Sequence, residues 1–215
     1  MSQLNRAAST AAWIIVGCML VHNMNSLWLE PTYLGFVDKA RDYGDMEKIL
    51  NAQFSFSFIT SGTAHIVCGF AMLILGLGLR ERFRGAFPVG ADLLMLAALL
   101  SGLGFLLTGI SDIPGAVYAK ILREVNPDRA LDLMLINTMI RSVVNVLAVV
   151  GLSWTAGQLA WLTRKSGAFP KWFGWYGWLM LFPGLVSFVF PPAGFSYLQL
   201  TIVWASALGF FLRRT

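Results

Sequence analysis

The chain has 215 residues, of which 57% are hydrophobic and only 13% are charged. Soluble domains carry about 25% charged residues, so this composition excludes an ordinary water-soluble domain and predicts a protein surrounded largely by lipid. The formal charge of +5 does not indicate nucleic-acid binding, because the basic residues are scattered over short connections between apolar stretches. These connections leave no room for a separate soluble domain, so residues 1–215 are predicted to form a single transmembrane domain.

Six apolar stretches reach, or nearly reach, the roughly 20 residues that a helix needs to cross a bilayer. They comprise residues 11–29, 54–79, 91–111, 133–163, 172–190 and 196–212. The predicted fold class is therefore all-α, a polytopic integral membrane bundle with six transmembrane helices. We expect a multi-pass protein in the lipid bilayer of a cell membrane of the bacterial inner-membrane type.

Basic residues divide unequally between the two sets of alternating connections. The first set has the two acids Glu81 and Asp92 and these nine basic residues: Arg6, Arg80, Arg82, Arg84, Arg164, Lys165, Lys171, Arg213 and Arg214. The second set has six basic and nine acidic residues. Lys and Arg near helix ends mark the cytoplasmic side of a membrane. The first set, which includes both termini, is therefore predicted to be cytoplasmic.

The two longer connections on the predicted outer side contain helical signals of their own. Residues 30–51 include a polar run that is typical of a short surface helix or loop. Residues 116–122 are amphipathic and fit a helix that lies in the membrane interface. Asn126 followed by Pro127 is typical of a helix start, with Asn as the cap and Pro in the first turn. The fourth helix is therefore predicted to begin there.

Polar side chains on the first two predicted helices are candidates for a functional site, because such residues are costly in lipid and normally face the bundle interior. On the first helix, His22 and Asn25 share a face. On the second, His65 falls close to a face of glycines spaced seven residues apart, namely Gly62, Gly69 and Gly76. These glycines predict a seam of close helix packing, with His65 hydrogen-bonded across it. Alternatively, they leave room for a flat ligand that His65 reaches.

The fourth predicted helix carries a polar face formed by Asn137, Arg141 and Asn145, which recur every four residues. Arg141 lies near the outer boundary of the membrane core. It either extends outward to the lipid headgroups or points inward and pairs with a carboxylate. Asp112 is the first choice of partner, since it ends the third helix at the same level, and Glu30 is the second.

The relative depth of the two histidines decides whether they can share a haem. If the second helix enters the membrane core near residue 60, His65 lies at the depth of His22, and the two rings can hold the iron of a haem b between them. If the helix enters near residue 54, the two histidines differ in depth by roughly 9 Å, which rules out this arrangement. The sequence leaves both alternatives open.

Cysteine spacing and known catalytic motifs contribute little. Cys18 and Cys68 both lie in apolar runs, where thiols usually behave as small buried hydrophobic groups. HExxH, GxSxG, P-loop and GxGxxG patterns do not occur in the sequence, so the chemistries that depend on them have no support. The sequence identifies no catalytic residue and leaves open whether the protein is an enzyme.

The leading functional interpretation is binding, with or without transformation, of a small lipophilic ligand in a polar pocket in the outer half of the bundle. The predicted ligand-binding residues are His22, Asn25, His65, Asp112, Asn137, Arg141 and Asn145. One alternative is a membrane redox or isomerase subunit that binds haem b through His65, with His22 as the second ligand. Another is a non-catalytic subunit of a larger membrane complex, and a homo-oligomer is a further partner that the sequence allows.

Overall fold

The computed structural model describes residues 3–42, 44–52, 55–187, 189–190 and 193–214. These residues form helices and connections, with no strand among them. The helices are α1 (Gln3–Met24), a π-helical segment (Asn25–Leu29), α2 (Glu30–Leu34), α3 (Lys39–Asp42), α4 (Met46–Ala52), α5 (Phe56–Arg84), α6 (Pro88–Asp112), α7 (Pro114–Val125), α8 (Pro127–Ser166), α9 (Lys171–Val186) and α10 (Ala193–Arg214). The all-α prediction is confirmed.

Four helical segments are long and apolar enough to cross a membrane, as judged by length and composition. They are Gln3–Leu34, Phe56–Arg84, Pro88–Val125 and Pro127–Ser166. Helix α9 has 16 residues and rises by about 24 Å, less than the roughly 30 Å thickness of a typical hydrocarbon core. The chain is therefore a helical protein suited to a membrane.

The six longest helices pack in a closed ring that follows their order in the chain. Helix α1 contacts α5, α5 contacts α6, α6 contacts α8, α8 contacts α9, and α10 contacts both α9 and α1. Fully buried aromatic side chains occupy the interior, including Phe105, Tyr197 and Trp204. The short helices α2, α3, α4 and α7 precede or follow the long helices at one end of the ring, which we refer to as the α7 end.

Helices α5 and α6 approach each other most closely along the predicted glycine seam. A Cβ atom added at Gly69 would lie 2.7 Å from the carbonyl oxygen of Gly102, and one at Gly76 would lie 2.6 Å from Cβ of Ala98. One added at Gly62 would lie 2.9 Å from Cβ of Asp112. The glycines of α5 therefore give α6 the space to pack closely against them. The prediction of close helix packing is confirmed, and the alternative of a slot for a flat ligand is not.

Several helices extend beyond the apolar stretches from which they were predicted. The first begins at Gln3 and continues without a break through the π-helical segment to Leu34, because backbone hydrogen bonding continues where hydropathy falls. Helix α8 begins at Pro127 as predicted, and the Asn126 side chain accepts a hydrogen bond from the backbone N–H of Arg129 at 3.2 Å. Helix α9 ends at Val186, four residues before the predicted residue 190, and contains Pro183 in its last turn.

Candidate functional site

Asp112 joins three helices at the α7 end of the ring. It is the last residue of α6, and its side chain is only 2% exposed. Its Oδ2 atom lies 2.9 Å from Nδ1 of His65 on α5. Its Oδ1 atom accepts a hydrogen bond from Nε of Arg141 on α8, which also forms an ion pair with the carboxylate. The predicted inward pairing of Arg141 with Asp112 is confirmed.

The contact with Arg141 determines which nitrogen of His65 carries a proton. A carboxylate that is ionised by a neighbouring guanidinium has only acceptor atoms. The Nδ1 atom of His65 must therefore carry the hydrogen and donate it to Asp112. Nε2 is then the nitrogen that can take up a proton or accept a hydrogen bond from another donor. The bond to Asp112 also fixes the orientation of the ring.

His22 lies beside His65 at the same depth in the ring. The two ring centroids are 5.2 Å apart and the ring planes are inclined by 46°. The ring of Phe105 stacks against that of His65, with 6.2 Å between centroids and 19° between planes. Matched depth is the arrangement expected if the second helix entered the core near residue 60. It arises because the first helix continues past Glu30 to Leu34, so the end of this helix lies farther from His22 than hydropathy indicated.

The space between these histidines does not fit a haem. The cavity that they border has a volume of about 10 Å³, which is the space that a single water molecule needs. Planar macrocycles require a slot many times larger. The Nδ1 atom of His65 is held by Asp112 and its ring by Phe105, so the ring has no room to withdraw.

Asn137 belongs to the same group of contacts, whereas Asn145 does not. The Asn137 side chain donates a hydrogen bond to the backbone carbonyl of Ser111 at 3.0 Å, next to Asp112. Asn145 lies one turn beyond Arg141 on the same face of α8, and among the described residues it makes no hydrogen bond to Asp112 or Asn137. The structure thus brings His65, Asp112, Asn137 and Arg141 together and leaves Asn145 at the margin.

Asn25 contacts the start of α5 rather than the group around Asp112. It opens the π-helical segment and is fully buried. Its side-chain amide donates to the carbonyl oxygen of Ser57 at 3.1 Å and to the Thr60 hydroxyl at 3.0 Å. These bonds tie the first helix to the start of α5 rather than to Asp112. Single π-helical turns occur frequently at functional sites, but here the turn serves a contact between helices.

The polar face of α8 beside Asp112 stays partly exposed. Within residues 135–147, all of them described, no side chain is fully buried. The Arg141 side chain is 25% exposed, while that of its partner Asp112 is 2% exposed. The site is therefore a buried acid–histidine pair whose arginine partner can be reached from outside the ring.

Sequence reasoning missed the position of the two cysteines. Cys18 precedes His22 by four residues, and Cys68 follows His65 by three, which places each cysteine on the same helix face as a histidine. In the structure both line the cavity beside the two histidines. The spacing alone would have placed each cysteine beside the histidine of its own helix, but not the two pairs opposite each other.

Comparison with known proteins gives no further guide to the site. The chain matches no protein-family model, no curated protein and no solved structure.

Proposed function

We propose that the chain is a six-span membrane protein, with both termini cytoplasmic, that binds a small lipophilic ligand at the exposed polar face of α8. The ligand carries an anionic or carbonyl group that Arg141 holds, and His65 orients this group or exchanges a proton with it. The observation that carries the proposal is the contact of a single buried carboxylate, Asp112, with both His65 and Arg141.

Asp112 and Arg141 are ionisable residues, and placing them inside a membrane bundle costs free energy. Ionisable side chains within a membrane bundle are expensive and usually mark a site of binding or proton transfer. Replacing a buried ion pair by packed apolar residues is often neutral or even stabilising, so helix association alone does not require Asp112 and Arg141. A binding role supplies the reason for keeping them.

Arg141 suits the ligand because of its geometry and exposure. A guanidinium carries five N–H donors in a rigid fork, so an arginine can hold a carboxylate and a ligand oxygen at the same time. A quarter of the side chain is exposed, and the neighbouring Asn137 and Asn145 give this face of α8 further polar character. The ligand approaches there, because the cavity between the histidines is too small to admit it.

His65 suits proton exchange because Asp112 fixes its tautomer. With Nδ1 donating to Asp112, Nε2 is the nitrogen that can take up a proton. Asp112 also stabilises the imidazolium that forms when Nε2 takes a proton. Asp112, which bonds both His65 and Arg141, connects this exchange to the ligand group that Arg141 holds.

Mass spectrometry of small molecules that copurify with the protein in mild detergent tests the ligand. We expect an anionic or carbonyl-bearing lipophile to copurify with the unaltered protein. It should also copurify with the control variant Arg129→Gln, which removes an exposed arginine from the same helix. It should be absent from the charge-balanced double variant Asp112→Asn/Arg141→Gln, which leaves no unpaired buried charge. An unchanged set of small molecules, or a stoichiometric copurifying protein in place of any ligand, contradicts the proposal.

Cysteine labelling tests the six-span arrangement separately. Val189 is 85% exposed and lies in the connection between α9 and α10. In intact cells, Val189→Cys should react with a membrane-impermeant maleimide, while Lys165→Cys should react only after the cells are permeabilised. If α9 and α10 do not cross the membrane, both positions stay on the same side and label alike.

A further inference from the structure

The chain contains two cysteines and two histidines, and all four line a single small cavity between α1 and α5. Cys18 and His22 come from α1, and His65 and Cys68 come from α5. The remaining wall consists of Met19, Ala64, Phe105 and Leu198. All the cysteines and histidines of the chain therefore border one cavity. Packing of thiols as small hydrophobic groups does not require such a concentration.

The sulfur-bearing side chains at this cavity are shielded from solvent. Cys18, Cys68 and Met19 all border the same space. Cys68 is 1% exposed and Cys18 is 8% exposed. Thiolate and thioether sulfurs select soft metal ions, and the cavity of about 10 Å³ has room for one atom-sized guest.

The number of donors that meet decides which ion suits the cavity. Structural zinc sites almost always use four ligands. Among the described residues, no three His, Cys, Asp or Glu side chains are grouped so that they could hold a metal ion. Copper(I) is a soft ion that two thiolates alone can bind in a linear arrangement, and Cys18 and Cys68, which border one cavity, provide those two ligands.

We propose that Cys18 and Cys68 bind one copper(I) ion as a two-thiolate complex in this cavity. Binding of Cu⁺ by two thiols forms a complex of charge −1 and releases two protons. His22 and His65, which line the same cavity, are bases that can take these protons. The copper site shares His65 with the ligand site proposed above but requires neither a ligand nor Arg141.

Anaerobic titration of the reduced, detergent-purified protein with copper(I), in competition with the chromophoric chelator bicinchoninate, tests the proposal. We expect the unaltered protein to withdraw one equivalent of copper from the chelator. Cys18→Ser and Cys68→Ser should each lose it, whereas Leu198→Val, which changes the cavity wall without removing a donor, should keep it. Arg141→Gln should also keep it, so that failure of the copper site and failure of the ligand site are distinguishable.

X-ray absorption of the copper-loaded, unaltered protein gives a second readout that does not depend on any variant folding. Two sulfur donors at copper support the proposal. Coordination by nitrogen alone overturns it. So does an unaltered protein that leaves all copper with the chelator, or one whose mass under non-reducing conditions shows Cys18 and Cys68 joined in a disulfide after anaerobic reduction and copper addition.

Discussion

The Nδ1 atom of His65 lies 2.9 Å from Oδ2 of Asp112 across the interface between α5 and α6, although the two residues are 47 positions apart. Arg141 bonds the second oxygen of the same carboxylate from α8. An isolated carboxylate is very costly to bury, and Asp112 also stands at the C-terminus of α6, where the helix dipole is unfavourable for a negative charge. Two donors from two other helices offset both costs.

Removing Arg141 alone should destabilise the protein more than removing the whole charge pair. Arg141→Gln leaves the carboxylate of Asp112 buried with only His65 as a partner, a change that costs on the order of 3 kcal/mol. The double variant Asp112→Asn/Arg141→Gln should recover much of this loss, because neither remaining group is charged. Thermal unfolding of the detergent-solubilised protein, followed by loss of the monodisperse species, measures both.

The ion pair between Arg80 and Asp92 provides the control. Nε of Arg80 lies 2.6 Å from Oδ1 of Asp92, but the side chains of Arg80 and Asp92 are 33% and 59% exposed. Exposed pairs contribute roughly 0–1 kcal/mol, so Arg80→Gln should change the unfolding temperature little. Equal effects of Arg80→Gln and Arg141→Gln would contradict the account of a buried charge that needs its partner.

The Asp112–Arg141 pair could be predicted from sequence because it depends on depth along the membrane normal. Asp112 ends one apolar stretch, and Arg141 lies about 20 residues from the basic end of the next, so hydropathy places both at one level. The helix start at Asn126 was predictable for a local reason, since its side chain bonds a backbone N–H three residues away. Both features follow from short-range pattern.

The partners of Asn25 and the meeting of the cysteines depend on helix rotation, which hydropathy does not determine. Asn25 opens the π-helical segment and faces Ser57 and Thr60 rather than Asp112. Asn145 shares the helix face of Arg141, but among the described residues it makes no hydrogen bond to Asp112 or Asn137. Periodicity predicts the face of a helix and not what lies opposite.

Adding a methyl group to the α5–α6 seam should weaken the fold. In Gly69→Ala the new Cβ atom meets the carbonyl oxygen of Gly102 at 2.7 Å, and backbone atoms cannot rotate away as a side chain does. Overpacking of this kind costs about 1–3 kcal/mol, which a lower unfolding temperature in detergent would show. In the control Gly17→Ala, the new Cβ has no atom within 4 Å, so stability should stay unchanged or rise slightly through helix propensity. Equal unfolding temperatures for Gly69→Ala and Gly17→Ala would contradict close packing at the seam.

Removing the cap of α8 should loosen its first turn without affecting its middle. Asn126→Ala deletes the acceptor for the backbone N–H of Arg129, at a cost of roughly 0.5–2 kcal/mol. Hydrogen exchange should therefore become faster in residues 128–131, while residues 148–160 keep their protection. Asn126→Ser, which retains a capping oxygen, should restore most of the difference. Uniformly faster exchange along α8 would show instead that the residue supports the whole helix.

The connection between α2 and α4 should lose a stabilising contact in acid. Lys48 donates a hydrogen bond to the Asp42 carboxylate at 2.8 Å and another to the carbonyl oxygen of Gly35 at 2.7 Å. The bond from Lys48 holds the pKa of Asp42 below its ordinary value. The contribution to stability is therefore present above the pKa of an unfolded Asp, about 3.9, and is lost as pH falls through the lower pKa of the folded connection. Carboxyl carbon NMR of Asp42 should show a pKa that rises in Lys48→Met and is unchanged in Lys165→Met; an Asp42 pKa unaffected by Lys48→Met would contradict the assignment.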